Sequence, residues 1–376
     1  MKGYFRMASY FEKVKKNFGF GCMRLPMKDD EVDFEQFSEM IKMFLDNGFN
    51  YFDTAQGYIG GKSVSALKKC LTSRYPREDY ILVNKLTEPY FNSEAEVRPF
   101  FEKQLESCGV EYFDFYLMHA QNSRNYVKFT ECKAYETAFK LKEEGKIRHV
   151  GISFHDKAHV LERILTDHPD LEVVQLQFNY FDYDSESVES RKCLEVCQKY
   201  GKPVIVMEPV KGGTLVNLPE DAQEILSALK GGSNASYAIR FAASFDGIMM
   251  VLSGMSNLEQ MADNISYMKD FKPLTEEEHA AIKQVCYVMK EKDLIPCTSC
   301  RYCTEGCPMS INIPQLFSYF NHRKQNLGNY AKKKYLETTE NGGKASECVS
   351  CQQCVRACPQ NLNIPELLKN VAKTFE

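Results

Sequence analysis

The chain has 376 residues, of which 44% are hydrophobic and 26% charged, and its formal net charge is −4. These values supply enough apolar side chains for a sizeable core and exclude wholesale disorder, and the acidic balance gives no basic footprint for nucleic acid. Residues 1–20 lack a long apolar segment and no run of 18 apolar residues occurs. We therefore expect no signal peptide, no membrane span and a cytoplasmic location.

Strand-like and helix-like segments alternate along the first 290 residues. Eight apolar, β-branched or aromatic runs are predicted as strands: Phe18–Leu25, Phe49–Phe52, Tyr80–Val83, Phe113–Met118, Ile147–Ile152, Val173–Phe178, Pro203–Val206 and Ile248–Leu252. Segments of helical period lie between them, and they include Asp33–Asn47, Glu94–Cys108, Ala134–Glu144 and Val188–Tyr200. Eight such units predict a (β/α)8 TIM barrel. A doubly wound sheet is the alternative, but Gly19-Phe20-Gly21 lacks the third glycine of a dinucleotide-binding turn.

A last helix is predicted over Thr275–Lys292, with Thr275 as its N-cap and Glu278 completing a capping box. Asp293–Pro296 has the composition of a linker. We therefore expect two domains, a barrel over residues 1–292 and a small, mostly helical, ferredoxin-like domain over residues 293–376.

Eight of the 15 cysteines form an internal repeat near the end of the sequence. Both copies have the pattern CxxCxxCxxxCP, and they consist of Cys297, Cys300, Cys303 and Cys307, then Cys348, Cys351, Cys354 and Cys358. This is the spacing of bacterial ferredoxins that carry two 4Fe-4S clusters. Three thiolates of one run curl around one cluster, and the fourth points to the other. The expected ligand sets are Cys297, Cys300, Cys303 and Cys358 for one cluster and Cys307, Cys348, Cys351 and Cys354 for the other.

Zinc and disulfide bonds account less well for these cysteines. Zinc sites usually use two separated CxxC pairs rather than runs of four cysteines. A disulfide scaffold does not suit an intracellular chain.

Four polar residues follow predicted strands in the first half of the chain. Asp53 and Tyr58 lie in the motif Phe52–Tyr58, Lys85 ends Val83–Lys85, and His119 ends Tyr116–His119. These motifs and their spacing resemble the aldo-keto reductase family over residues 17–290. With its cysteine-rich end, the chain is similar to bacterial iron–sulfur aldo-keto reductase-like oxidoreductases. Strand ends of this kind carry the chemistry of such barrels.

The resemblance implies reduction of an aldehyde or ketone to an alcohol. Tyr58 would be the general acid, and Lys85 would lower its pKa by stabilising the tyrosinate. Asp53 would hold Lys85 charged and in place, while His119 would orient the carbonyl oxygen.

The resemblance also implies a bound nicotinamide dinucleotide, NADP or NAD. The positions that would hold it are Met23, Arg24, Ser153, Gln175, Met207, Pro209, Gly212, Gly254, Ser256, Gln260 and Asn264. The family's two cations for the 2′-phosphate correspond here to Gly254 and Gln260, and its stacking aromatic to Met207. The choice between NADP and NAD therefore stays open.

Hydride transfer moves two electrons and an iron–sulfur cluster moves one, so three functions are compatible with the sequence. In the first, the barrel reduces a carbonyl and the clusters exchange electrons with a redox partner protein. In the second, the clusters are structural or docking elements. In the third, the chain is a nicotinamide-binding electron-transfer or redox-sensing subunit that does not turn over carbonyls.

Overall fold

The computed structural model describes residues 11–229, 231–325 and 328–376, so the first ten residues of the predicted barrel domain lie outside it. Eight parallel strands close into a barrel, in which the first strand of the chain pairs with both the second and the last barrel strand. The barrel strands are β1 (Phe18–Gly21), β4 (Tyr51–Asp53), β5 (Ile81–Leu86), β6 (Phe113–Gln121), β7 (Ile147–Phe154), β8 (Val173–Gln177), β9 (Val204–Met207) and β10 (Ile248–Ser253). A short hairpin, β2 (Met27–Lys28) and β3 (Glu31–Val32), follows β1. The predicted barrel is confirmed, and the doubly wound alternative is excluded.

Helices follow most of the strands, and further helices make up the end of the chain. They are α1 (Phe34–Asp46), α2 (Lys62–Leu67), α3 (Glu94–Cys108), α4 (Asn125–Glu131), α5 (Ala134–Glu143), α6 (Ala158–Asp167), α7 (Ser190–Lys199), α8 (Glu220–Ser227), α9 (Asn234–Ala243), α10 (Leu258–Met268), α11 (Glu276–Glu291), α12 (Ile313–Lys324), α13 (Gly328–Thr339), α14 (Gln353–Ala357) and α15 (Ile364–Phe375). The predicted capping box of Thr275 and Glu278 is present at the start of α11. None of the described helices is long and apolar enough to cross a membrane.

Alternation along the strands decides which side chains fill the barrel. Residues two apart point to the same face of a strand, so one set points inward. The inward set includes Tyr51, Val83, Leu117 and Val173, which pack together in one buried cluster. The next inward positions toward the carboxyl ends of β4 and β5 are polar. The apolar layers thus form a floor beneath polar side chains at this end.

The chain divides into two compact units. The barrel unit comprises the residues up to Pro209 together with Ala235–Leu274, and it holds all eight barrel strands. The cysteine-rich unit comprises Val210–Asn234 and Thr275–Glu376. Within it α8 packs against α11, and Lys292 forms an ion pair of 2.8 Å with Asp221. The predicted domain boundary between residues 292 and 293 stays a prediction, since α8 and α11 group here with the cysteines.

The cysteine-rich unit is mostly helical, as predicted. Its apolar core is small and is built from α12, α13 and α15, with Phe317, Tyr335 and Val371 almost fully buried. Both α12 and α15 begin at an Ile-Pro pair, Ile313-Pro314 and Ile364-Pro365. Proline suits the first helical turn because its missing N–H would have no partner there.

Candidate functional site

A buried ion pair lies at the carboxyl ends of two neighbouring strands. Lys85 on β5 donates a hydrogen bond of 2.6 Å from Nζ to Oδ1 of Asp53 on β4, and a second of 2.9 Å to the Thr54 carbonyl. Both side chains are buried, Lys85 at 0% and Asp53 at 3% exposure. Gln175 on β8 donates to the other Asp53 oxygen, Oδ2, at 3.2 Å. The carboxylate is thus held from two sides of the barrel interior.

Tyr58 and His119 lie beside this pair. The Lys85 Nζ atom is 5.0 Å from the centroid of the Tyr58 ring. The Tyr58 and His119 rings meet edge to face with centroids 6.1 Å apart. The structure therefore brings the four predicted catalytic side chains together at one end of the barrel.

The electrostatics of Tyr58 differ from the expectation based on the sequence. Burial raises the pKa of Tyr58 well above its ordinary value, and the negative charges of Asp53 and Glu208 raise it further. The positive charge of Arg24 opposes this shift but does not reverse it. The phenol therefore keeps its proton at neutral pH.

The other ionisable side chains at the site also respond to burial. Burial lowers the pKa of Lys85 and raises that of Asp53, and in each case the opposite charge of the partner opposes the shift. The pKa of His119 is lowered well below its ordinary value by burial and by the nearby charge of Lys85. His119 is therefore a neutral imidazole at neutral pH.

Left-handed backbone occurs at three non-glycine residues around the site. Ile59 follows Tyr58 directly with φ 53°, Ala120 follows His119 with φ 51°, and Glu208 follows Met207 with φ 58°. For a β-branched residue such as Ile59 this conformation is an outlier and costs about 1–3 kcal/mol. At Ala120 it coincides with a register shift of β6 against β7, and such bulges re-aim side chains. Strain of this kind clusters at functional sites.

Thr87 completes the site and was not anticipated from the sequence. Its Oγ1 lies 2.9 Å from Nδ1 of His119 and 3.3 Å from the Lys85 carbonyl oxygen, so its one hydrogen has two acceptors within reach. The hydroxyl therefore ties the imidazole to the strand that carries Lys85. Its place two residues after Lys85, directly after the end of β5, is the signal that could have identified it.

The residues predicted to hold the adenosine phosphate lie in the loop after β10 and on helix α10, next to the loop after β1. The Ser256 hydroxyl after β10 donates to the Arg24 carbonyl after β1 at 3.3 Å, and the Ser256 amide donates to Gln260 Oε1 at 2.8 Å. Gly254 lies against Arg24, since a Cβ built there would be 3.5 Å from the Arg24 Cβ. Asn264 is buried and donates to the Ser253 hydroxyl at 2.9 Å. Met23, like Arg24, is partly exposed in the loop after β1.

The remaining predicted residues for the nucleotide divide between the two units. Ser153 at the end of β7 accepts a hydrogen bond of 2.8 Å from the Ala120 amide. Met207 ends β9 partly exposed, and Pro209 is buried two residues later. Gly212 instead lies in the cysteine-rich unit, where a Cβ on it would be 2.2 Å from the Thr298 carbonyl oxygen.

The eight repeated cysteines line two separate cavities. One is lined by Cys297, Cys300, Cys303 and Cys358, and the other by Cys307, Cys348, Cys351 and Cys354. These are the two expected ligand sets, each with three cysteines of one run and the fourth of the other. Ile313 borders both cavities. Four thiols around each space are the donor set that a 4Fe-4S cluster requires.

The backbone of the two cysteine runs repeats as faithfully as the sequence. The residues two and four positions after the first cysteine of each run are left-handed, and so is the residue three positions after the last. They are Ser299, Arg301 and Ser310 in the first run and Ser350, Gln352 and Asn361 in the second. Left-handed residues within tight turns can bring successive N–H groups together in a concave surface that binds anions, including iron–sulfur clusters. The cysteines and the backbone of the two runs therefore fit a 4Fe-4S cluster in each cavity.

Comparison with known families agrees with both units. The description "Aldo/keto reductase family" matches residues 17–286, and "4Fe-4S dicluster domain" matches residues 296–362. The chain belongs to the aldo/keto reductase family and carries a C-terminal 4Fe-4S dicluster domain.

Individual relatives are distant. The chain is 25% identical to L-galactose dehydrogenase from Arabidopsis thaliana, over 60% of this chain and 76% of that protein. It is 28% identical to NADH-specific methylglyoxal reductase from Escherichia coli, over 45% of this chain and 54% of that protein. It is 34% identical to 4-dihydromethyl-trisporate dehydrogenase from Mucor mucedo, over 29% of this chain and only 32% of that protein. The chain thus spans between a third and three quarters of the length of these relatives.

Solved structures show the same fold. The holo form of an aldo-keto reductase from Bacillus halodurans matches with a TM-score of 0.58 and 25% identity, covering 72% of this chain and 91% of that one. An aldo-keto reductase from Klebsiella pneumoniae in complex with NADPH matches with a TM-score of 0.59 and 22% identity, covering 72% and 95%.

Proposed function

We propose that this chain is an NAD(P)H-dependent reductase that converts an aldehyde or ketone to an alcohol. The observation that carries the proposal is the buried Lys85–Asp53 pair with the Tyr58 and His119 rings beside it. A bound nicotinamide would supply the hydride to the carbonyl carbon. The remaining work, holding the carbonyl oxygen and giving it a proton, falls to side chains of the barrel.

Tyr58 is the proton donor in this proposal. Its raised pKa keeps the phenol protonated before reaction. As negative charge develops on the carbonyl oxygen, the phenol proton moves to it, and the Lys85 ammonium stabilises the tyrosinate that remains. Asp53 and the Thr54 carbonyl hold the ammonium in place. The Lys85–Asp53 pair therefore stabilises the state in which Tyr58 has lost its proton more than the state in which Tyr58 is neutral.

His119 orients the carbonyl oxygen as a neutral imidazole. A neutral ring carries a single N–H, so donation from Nε2 to the substrate leaves Nδ1 as an acceptor. The Thr87 hydroxyl has one hydrogen, which in this arrangement it donates to Nδ1 rather than to the Lys85 carbonyl. The 2.9 Å contact between Thr87 and His119 supports this arrangement.

The nucleotide would be held by the predicted residues at this end of the barrel. Ser153, Gln175, Met207 and Pro209 would lie toward the nicotinamide. Gly254 and Ser256 in the loop after β10, together with Gln260 and Asn264 on α10, would hold the adenosine phosphate, partly through amides at the start of α10. Met23 and Arg24 would contact the nucleotide from the loop after β1. Gly212 remains a prediction from the resemblance alone.

We further propose two 4Fe-4S clusters, one in each cysteine-lined cavity. They would exchange electrons with a redox partner protein, because a reductase barrel has no need of them for hydride transfer itself.

The test is NADH and NADPH oxidation by anaerobically purified protein, with iron and sulfide analysis, against a panel of aldehydes and ketones. We expect oxidation of one nucleotide that depends on a carbonyl, and about eight irons per chain. No oxidation with any carbonyl would overturn the reductase proposal and leave the electron-transfer subunit. In that case an NAD(P)H-dependent paramagnetic signal of the clusters would still appear.

A further inference from the structure

A second histidine lies at the same end of the barrel as His119. Gly151 on β7 points inward, since a Cβ on it would lie against the side chains of Val173 and Leu117, which belong to the interior cluster. Alternation then places Ser153 and His155 inward as well. The ladder between β6 and β7 extends to this residue, because the His155 amide donates to the Gln121 carbonyl at 2.9 Å. His155, one residue beyond the end of β7, thus continues the inward-facing set of that strand.

The imidazole of His155 has an unused polar atom. Its Nδ1 is buried and has no hydrogen-bond partner among the described residues. Leaving a buried donor or acceptor unsatisfied costs about 1–3 kcal/mol, so buried polar atoms are nearly always paired, with protein, water or ligand. An unpartnered atom at the carboxyl end of a barrel strand, where such barrels bind substrates, indicates a ligand contact.

The charge state of His155 suits contact with an uncharged polar group. Burial and the positive charge of Lys85 lower the pKa of His155 to about 4. His119 lies close enough for its pKa to be lowered by His155 in turn. Two neutral imidazoles therefore occupy adjacent strands, each with one N–H and one acceptor nitrogen.

We propose that His155 determines substrate specificity by hydrogen-bonding an oxygen on the carbon next to the reacting carbonyl. The inference rests on the proposed function, in which His119 and Tyr58 hold the carbonyl oxygen. Neighbouring strands lie about 4.8 Å apart, so a group one strand away from His119 meets the next atoms of a small substrate. The class of substrate is then an α-hydroxy aldehyde or an α-dicarbonyl compound rather than a plain alkyl aldehyde.

The experiment compares kcat/KM for glycolaldehyde and methylglyoxal with that for propionaldehyde. In the wild-type holoprotein we expect the oxygenated compounds to be preferred. In His155→Leu we expect the ratio of oxygenated to plain substrate to fall about tenfold, the worth of one hydrogen bond. In His155→Asn, which keeps a hydrogen-bonding group, part of the ratio should return. His159→Leu is the matched control, because His159 is an exposed histidine on α6, and its ratio should equal that of the wild type.

The outcomes separate the two proposals. Equal ratios in wild type and His155→Leu, as expected if only water pairs with Nδ1, would overturn the role of His155 while the reductase proposal stands. No turnover of any of the three compounds or of the wider carbonyl panel would instead overturn the reductase proposal. If His155→Leu fails to fold by circular dichroism, the ratio in His155→Asn decides, and an unchanged ratio there overturns the inference.

Discussion

The two units build their sites in opposite ways. In the barrel unit, Asp53, Lys85 and His119 come from different strands, and the hydrogen-bonded barrel holds each strand in register. Lys85 is fully buried and already has its partners. In the cysteine-rich unit the cysteines lie in or beside irregular loops, and Cys351 is exposed.

The difference concerns what each site needs in order to form. The barrel site is assembled by the apolar layers beneath it, so a bound nucleotide would add to a site that already exists. The cysteine-rich unit has a small core, and small domains of this kind usually need metal ligation for stability. We therefore expect loss of iron to unfold the loops of one unit and to leave the other folded.

The largest expected effect is that of Tyr58→Phe on catalysis. Removing the hydroxyl leaves the ring in place but removes the proton donor, so carbonyl reduction should fall by about 10²–10⁴-fold. Nucleotide affinity, measured by fluorescence titration, and iron content should change little. Tyr287→Phe, at an exposed tyrosine of the cysteine-rich unit, is the control. Turnover that survives in Tyr58→Phe would show that another group donates the proton.

Most of the barrel could be predicted because its strands have an apolar pattern. All eight predicted strands are present, but β5 and β6 each continue for three residues beyond their predicted ends. Those extensions carry Lys85 and His119, polar residues that mask a strand. An apolar pattern therefore predicts the buried part of a strand but not its polar carboxyl end, where the candidate catalytic residues lie.

Other features had no sequence signal. Helix α13 was missed because Gly328–Thr339 is polar and rich in lysine. Its buried residues are covered by tertiary packing: α13 packs against α12, and Tyr335 also stacks on Phe375 of α15. The partners of His119 and the unpaired nitrogen of His155 depend on distances between strands. The repeat of the cysteines, in contrast, determined the grouping around the two cavities, since the ligand spacing is local.

The next effect separates the two units through iron. Cys300→Ala should remove one cluster, so iron should fall from about eight to about four per chain. Barrel secondary structure, measured by circular dichroism, should persist. Cys193→Ala is the control, because Cys193 is buried in α7 of the barrel unit and belongs to neither cavity. A collapse of barrel structure on removal of iron would contradict the independence of the two units.

A smaller effect is expected from one methyl group beside the first cavity. A Cβ on Gly212 would lie 2.2 Å from the carbonyl oxygen of Thr298, which is next to Cys297. Gly212→Ala should therefore displace this loop, cost about 1–3 kcal/mol and speed cluster loss to a chelator. Gly213→Ala is the matched control, since Gly213 is also left-handed but its Cβ would have 3.8 Å of space. Equal rates of iron loss in the two variants would show that the left-handed backbone, rather than the contact with Thr298, determines how fast the cluster is lost.

The smallest expected effect is a flat pH profile. Burial and Lys85 lower the pKa of His119 well below its ordinary value of 6.5. The ring is therefore already uncharged at pH 6, and its charge does not change as the pH rises to 8. Tyr58, with its raised pKa, also keeps its proton across that range. The plot of log kcat/KM against pH should therefore show no inflection near 6.5. An inflection there that disappears in His119→Asn would mean that the imidazole is charged when substrate binds. The imidazolium would then compete with Tyr58 as proton donor. His119 would have to be assigned the role of proton donor, and Tyr58 the role of orienting the carbonyl oxygen.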